Sequence, residues 1–186
     1  MKKILNYFLR LLKQYSNRNK KINPIVFLET IGLPIEISDE EKIARFIFSP
    51  ININPNTGKL KSNCYKPPAG YDEISVNRLD YTDANFLKKI ALKMQNSEYS
   101  RNYFGFGVIN TFDIRNSDSD IVYTPIKFPL EDLNPYHSDI KIGYTVVSGE
   151  ELPAEINNKI QNLVKKTRVY RDAFIEKEDW TGEELV

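Results

Sequence analysis

The fold is decided by Tyr103-Phe104-Gly105-Phe106-Gly107-Val108-Ile109-Asn110-Thr111-Phe112. Most of these residues are aromatic or β-branched, and both kinds are enriched in strands. Gly105 and Gly107 lack the third glycine of a phosphate-binding loop. Glycine within a strand is more typical of close packing, here against the neighbouring aromatic rings. The stretch therefore predicts a central strand of a β-sheet.

Weaker signals on both sides of this strand predict the remaining elements. Ser38 with Glu41 forms a capping box that predicts a short helix from Asp39. Thr82 or Asp83 caps a second helix, and a last helix over 154–167 follows Pro153. Further strands are predicted at 60–65, 73–76, 121–126 and 140–147. Because strands and helices interleave without βαβ regularity, we expect a single α+β domain with a mostly antiparallel sheet and two or three packed helices.

The two ends of the chain differ in charge. Residues 1–21 carry seven Lys or Arg and no acid, whereas residues 172–186 carry six acids and one Lys. This asymmetry divides the chain into a basic amphipathic helix and linker over 1–22, the α+β domain over 23–170 and an acidic tail over 171–186.

The amphipathic helix is predicted over 3–15, where apolar residues recur at helical spacing. The stripe consists of Ile4, Phe8, Leu11, Leu12 and Tyr15. Such a helix docks on its own domain, enters the groove of a partner or lies on a membrane surface. Packing against protein is the commoner use of an amphipathic face. The predicted partner is therefore another protein or a second copy of this chain.

Composition disfavours several classes of protein. A net charge of +1 gives no overall footprint for nucleic acid, so the basic residues of the last helix support it only weakly. The apolar run at 4–12 is too short and too charged to span a bilayer. One cysteine, Cys64, cannot form an internal disulfide, which favours a reducing cytoplasm. Abundant Ile, Asn, Lys and Tyr favour a bacterial source. The basic residues of the last helix are Lys159, Lys165, Lys166 and Arg168.

The sequence predicts neither a metal nor a cofactor. With one histidine, His137, a site built from several imidazoles of one chain is excluded. A loose series of polar residues near 113–120 lacks the glycine and the terminal glutamate of the calcium-binding loop. That series is Asp113, Asn116, Asp118 and Asp120. Cys64 has no local partner that marks it as a nucleophile.

His137 is the first candidate catalytic residue. It follows Asn134-Pro135-Tyr136 in a predicted loop between two strands, where functional side chains concentrate. To act as a general base, it needs an acceptor such as Asp139 to orient its ring. The alternative is that the ring bonds a backbone carbonyl and only fixes the loop.

The segment Glu73-Ile74-Ser75-Val76-Asn77-Arg78, which begins with the predicted strand 73–76, supplies further candidates. Alternation along a strand sends Ser75 and Asn77 to one side and the two apolar residues to the other. A polar strand face of this kind can line a cleft. Ser75 is therefore the second candidate catalytic residue, and Asn77 is a candidate ligand-binding residue.

Two arginines, Arg45 and Arg78, are candidate anion-binding residues, because a guanidinium holds a phosphate or carboxylate with two hydrogen bonds. For Arg78 the alternative is a surface pair with Asp80 on an edge strand. Arg45 lies within an apolar run, and the favoured alternative there is a structural ion pair with an acid.

An ordered series of short motifs resembles a group of small uncharacterised bacterial proteins. In that group a Ser-Val-x-Arg strand precedes an Asn-Pro-x-His loop, and the resemblance covers roughly residues 43–145. It implies that Arg45, Ser75, Arg78 and His137 lie near one another, and it implies no catalytic role. The series is Arg45 with Ile47, Gly58-x-Leu60-x-Ser62, Glu73-Ile74-Ser75-Val76-Asn77-Arg78, Pro125 and Asn134-Pro135-x-His137-x-x-Ile140.

Two functions fit these observations. The first is a small cytosolic binding or accessory module of a bacterial protein complex, docking through residues 3–15. The second is a small enzyme or ligand-binding domain for a phosphate- or nucleotide-containing substrate. In the second, Arg45 and Arg78 hold the anion while Ser75 and His137 act on the reacting group.

Overall fold

The computed structural model describes residues 33–96, 101–126 and 133–186. Contacts divide the chain into two compact units, Met1–Ile35 and Glu36–Val186. The sheet and the helices belong to the second unit. The amphipathic helix predicted over 3–15 lies outside the described residues.

The second unit contains one six-stranded sheet, in which each strand is antiparallel to its neighbours. The spatial order of the strands is β4-β5-β2-β1-β3-β6. The prediction of an α+β domain with an antiparallel sheet is confirmed. The strands are β1 (Lys42–Pro50), β2 (Glu73–Arg78), β3 (Arg101–Asn110), β4 (Asp120–Tyr123), β5 (His137–Lys141) and β6 (Arg168–Arg171). The helices are α1 (Ala84–Lys93), α2 (Thr111–Arg115) and α3 (Ala154–Lys166), with short 3-10 turns at Ser62–Cys64 and Leu79–Tyr81.

Each face of the sheet has its own apolar core. The α3 face is covered by α3 and includes Ile43, Ile74 and Ile140. The α1 face is covered by α1 and includes Ala44 and Phe106. Neighbouring residues of a strand point to opposite faces, so β1 contributes to both cores.

The strand β1 pairs with β3 over its whole length but with β2 at two positions only. Those positions are Ile43 opposite Arg78 and Ala44 opposite Asn77. Beyond Ala44 the ladder between β1 and β2 ends, so backbone groups there need other partners. One of them is satisfied by the side chain of Arg45, as described below.

Two predicted elements are wrong. Ser38 and Glu41 do form the reciprocal contact of a capping box, since the main-chain nitrogen of Ser38 donates to the Glu41 carboxylate at 3.0 Å. The chain nevertheless turns there and enters β1 instead of a helix. Residues 60–65 form a 3-10 turn at Ser62–Cys64 instead of a strand.

The helix α1 confirms the cap predicted from sequence. The side chain of Asp83 accepts a hydrogen bond from the main-chain nitrogen of Phe86 at 2.8 Å, which satisfies one of the free donors of the first turn. The helix buries Leu87 and Ala91 against the sheet. Among the described residues, no helix is long and apolar enough to cross a membrane.

The acidic C-terminal segment packs on the α1 face. Trp180 lies against Phe106, with ring centroids 4.9 Å apart. The ammonium of Lys88, on α1, is fully buried and contacts the carboxylate of Asp172 at 2.6 Å. It also donates to the carbonyls of Phe174 and Asp179. One buried cation therefore ties α1 to three points of the segment.

Candidate functional site

His137 is the first residue of β5, and not part of the loop before it as predicted. It pairs with Asn77 of β2. Because Ile140 belongs to the core on the α3 face, alternation places His137 and Asp139 on the α1 face. The strand β5 therefore fixes the ring on the α1 face, beside the polar side chains of Asn77 and Asp139.

Hydrogen bonds fix the tautomer of His137. Its Nδ1 lies 2.7 Å from the carbonyl oxygen of Thr124, and the hydroxyl of Thr124 lies 2.6 Å from Oδ2 of Asp139. A carbonyl can only accept, so Nδ1 carries the proton and Nε2 of the neutral ring has a free lone pair. Nε2 lies 3.8 Å from Oδ1 of Asp139. The ring is thus held by main chain at one nitrogen, and its second nitrogen faces a carboxylate.

Ser75 lies on the strand next to His137. It is exposed, and it pairs directly with Asp139 across the ladder between β2 and β5. Residues that are diagonal across an antiparallel ladder lie about 7–8 Å apart, and His137 stands in this relation to Ser75. The fold therefore places the two candidate catalytic residues on one face with Asp139 beside both.

Asn77 is buried, and its side chain hydrogen-bonds the turn that leads into β5. Its Oδ1 accepts from Nδ2 of Asn134 at 2.6 Å, and the Asn134 side chain accepts in turn from the main-chain nitrogen of Tyr136. The hydroxyl of Tyr123 donates to the carbonyl of Pro135 at 2.6 Å. Burial raises the pKa of Tyr123 to about 12, so this donor keeps its proton. Asn77 thus positions the turn before His137 and does not present its amide to solvent.

Arg78 is completely buried and bound to an acid. Its Nε and one terminal nitrogen donate to the two carboxylate oxygens of Glu41 at 2.8 and 2.7 Å. The rings of Tyr81 and Tyr123 flank the guanidinium at 4.6 and 5.0 Å. The predicted surface pair of Arg78 with Asp80 is wrong, because the Asp80 carboxylate accepts a hydrogen bond from the main-chain nitrogen of Lys42. The strand carrying Arg78 is also an interior strand.

Arg45 occupies the place where β1 and β2 separate. Its Nε donates to the carbonyl of Cys64 at 3.2 Å, and a terminal nitrogen donates to the carbonyl of Ser75 at 2.5 Å. The expected acidic partner is absent among the described residues, where Arg45 satisfies main-chain carbonyls instead. Burial raises the pKa of the Cys64 thiol to about 11, although the Arg45 guanidinium acts against the rise.

The fold therefore groups some of the candidates and separates others. Ser75, Asn77 and His137 share the α1 face. Arg45 and Arg78 have the alternation of the opposite face, and both donate to partners inside the domain. Two basic residues that the sequence did not single out adjoin Pro50: Lys61 donates to its carbonyl, and Arg101 pairs with it across the ladder between β1 and β3.

Among the described residues, no three or more His, Cys, Asp or Glu side chains are grouped so as to hold a metal ion. Comparison of the chain with family models, with curated proteins and with solved structures finds no match. The resemblance to small bacterial proteins stays a prediction.

Proposed function

We propose that the protein is a binding or accessory module of a cytosolic bacterial complex and that its predicted N-terminal helix is the docking element. Residues 1–21 combine an apolar stripe with seven basic residues and no acid. The observation that carries this choice over an anion-using enzyme is the bonding of Arg78. A guanidinium that has no exposed surface and is bound to a carboxylate is not accessible to a substrate from solvent.

The test changes the apolar stripe within the full chain. The double variant Phe8→Glu, Leu12→Glu should abolish self-association, which sedimentation measures. If the partner is another protein, the variant should instead lose the one defined partner that co-purifies with the wild-type protein from the native cell. The control is Lys3→Gln with Lys13→Gln, which changes the opposite side of the predicted helix. If an assembly of unchanged stoichiometry persists in the glutamate variant and after deletion of residues 1–21, the docking proposal is wrong.

A second candidate function is favoured by the geometry around His137. Its Nε2 has a lone pair, a carboxylate lies 3.8 Å away, and Ser75 is exposed on the adjacent strand. Such a ring can accept a proton from a bound hydroxyl or water, and Asp139 would stabilise the imidazolium that forms. This arrangement supports a small ligand-binding or proton-transfer site.

Because His137 is the only histidine, its ring carbon protons give a single set of NMR signals. Addition of nucleoside phosphates should shift those signals, and Ser75→Ala should weaken the shift. Thr124→Val serves as the second variant, since it removes the hydroxyl bonded to Asp139 and should alter the response of the His137 signals to nucleotide. Signals that are indifferent to every nucleotide in wild-type protein would count against this second candidate.

A further inference from the structure

Two hydrogen-bond acceptors face each other beside His137. Nε2 of the neutral ring lies 3.8 Å from Oδ1 of Asp139, and in these protonation states both atoms can only accept. Within residues 33–96, 101–126 and 133–186, no group donates a hydrogen bond to either of them. A pair of acceptors left open in this way suits a ligand that brings two donors.

The carboxylate of Asp139 has one oxygen occupied and one open. Its Oδ2 accepts from the hydroxyl of Thr124 at 2.6 Å, which leaves Oδ1 beside the His137 ring. The Asp139 side chain is only 9% exposed, and burying a carboxylate without satisfying its oxygens costs free energy. In the described part of the chain, no Lys or Arg forms an ion pair with it. The donor for Oδ1 is therefore to be supplied from solution.

The surface around Asp139 opens to solvent. Asp139 stands in a cross-strand row between Ser75 of β2 and Val122 of β4. Both neighbours are exposed, Val122 by 41% of its surface. Neither Nε2 of His137 nor Oδ1 of Asp139 is among the fully buried unpaired atoms of the described residues. A small ligand lying along this row can therefore reach both acceptors.

The charges next to the two acceptors disfavour a phosphate as the group bound there. The next row of the same face places Lys141 between Glu73 and Asp120, and Lys141 is already engaged by Glu73 and Asp72. With Asp139, this part of the face carries more acid than base. A phosphate placed on Oδ1 would meet a like charge, which costs free energy, whereas a neutral hydroxyl donates without adding charge.

We propose that His137 and Asp139 bind two neighbouring hydroxyls of a ribose, one donating to Nε2 and the other to Oδ1. A carboxylate that accepts from a ribose hydroxyl is also the recognition device of dinucleotide-binding folds. The inference rests on the second function proposed above and names the part of the ligand that is recognised. The ribose of a nucleoside contacts the acceptors, and any phosphate points away from Asp139. The hydroxyl on Nε2 is then the one whose proton the ring accepts.

The experiment follows the ring proton NMR signals of His137 in the full chain during separate titrations with adenosine, adenosine monophosphate, dideoxyadenosine and inorganic phosphate. Adenosine and its monophosphate should give saturable shifts with similar Kd, because both carry the two ribose hydroxyls. Dideoxyadenosine lacks these hydroxyls and should bind about tenfold more weakly or worse, because it forms neither hydrogen bond. Inorganic phosphate should leave the signals where they are.

Asp139→Asn tests the carboxylate, and Asp120→Asn is its matched control. Asp120 is an exposed acid on the neighbouring strand β4, so the control makes the same change of charge without touching either acceptor. Asp139→Asn should weaken adenosine binding by about tenfold, since a hydrogen bond to a charged group is lost, and Asp120→Asn should bind like wild type. Thermal unfolding checks that both variants are folded, and the comparison of the two nucleosides in wild-type protein needs no variant.

The results separate this inference from the function on which it rests. Equal binding of adenosine and dideoxyadenosine by wild-type protein overturns the inference, and so does a shift by inorganic phosphate as large as that by adenosine monophosphate. A shift by methylammonium at lower concentration than by adenosine also overturns it, because the acceptors then serve a cation. If adenosine monophosphate alone moves the His137 signals, the ribose inference fails and the second function stands. If none of the nucleosides or nucleotides moves them, both fail.

Discussion

Glu41 holds Arg78 through two hydrogen bonds, from Nε and from a terminal nitrogen, at a depth where the arginine has no exposed surface. The two residues are 37 positions apart in sequence. Glu41 precedes β1, and Arg78 ends β2, so the pair joins the two strands beside the two positions at which they form a ladder.

Loss of one member should leave the other charged and buried. We expect Arg78→Met to lower the free energy of unfolding by about 3–5 kcal/mol, as is typical when a buried ion pair is broken. Urea unfolding followed by circular dichroism measures the change. The double variant with Glu41→Leu should recover part of the loss. A single variant as stable as wild type would contradict the burial of this pair.

A second buried pair should anchor the C-terminal segment. Lys88→Met removes an ammonium that contacts Asp172, Phe174 and Asp179 together. We expect a loss of about 3–5 kcal/mol in the free energy of unfolding, with fluorescence of Trp180 shifting towards that of a solvated indole.

The neighbouring residue Lys89 provides the control for that change. It forms an exposed pair with Glu178 at 3.0 Å, and exposed pairs contribute little. Lys89→Met should therefore leave both the stability and the Trp180 fluorescence close to wild type. Equal effects of the two substitutions would show that helix propensity, and not the buried contact, is responsible.

Local signals predicted some of this fold, and long-range contacts decided the rest. Asp83 caps α1 through a residue three positions away, so the sequence contains the whole signal. The capping box at Ser38 and Glu41 is equally local, but β1 follows because both sheet faces take up its apolar residues. Tertiary burial outweighed the helical signal there.

The candidate site shows the same limit. Alternation correctly placed Ser75 and Asn77 on one side of β2, because that rule needs only the strand itself. The partner of Arg78 is brought close by the sheet, and the carbonyl of Ser75 is open to Arg45 because β1 and β2 separate beyond Ala44. Neither partner has a signal in the neighbouring sequence.

Gly105 should be intolerant of any side chain. Its φ is +152°, and a Cβ placed there would lie 2.1 Å from the carbonyl oxygen of Tyr170 on β6. We expect Gly105→Ala to cost about 2–4 kcal/mol, from backbone strain together with displacement of β6. Thermal unfolding measures the loss.

Gly58 is the matched control for backbone strain alone. Its φ is +66°, and a Cβ there meets nothing within 4 Å. Gly58→Ala should cost about 1 kcal/mol, the usual penalty for a left-handed alanine. If both substitutions cost the same, the close approach of β6 to Gly105 has no energetic consequence.

Stability should fall at alkaline pH because Cys64 is buried. Burial raises its pKa from 9.0 to about 11. Between these values the unfolded chain releases the thiol proton and the folded chain retains it, so the folded state binds more protons and the free energy of unfolding decreases as the pH rises. The decrease begins near pH 9 and levels off near pH 11, at about 2–3 kcal/mol for a shift of this size.

The contribution of Cys64 can be separated from that of the buried tyrosines. Tyr65 and Tyr123 also have raised pKa values because of burial, and they add a similar decrease that begins about one pH unit higher. Urea unfolding of wild type and Cys64→Ala at intervals from pH 8 to pH 11 should therefore give curves that converge between pH 9 and pH 10, where only the thiol titrates. Parallel curves over that interval would mean that the thiol ionises equally readily in the folded and the unfolded chain.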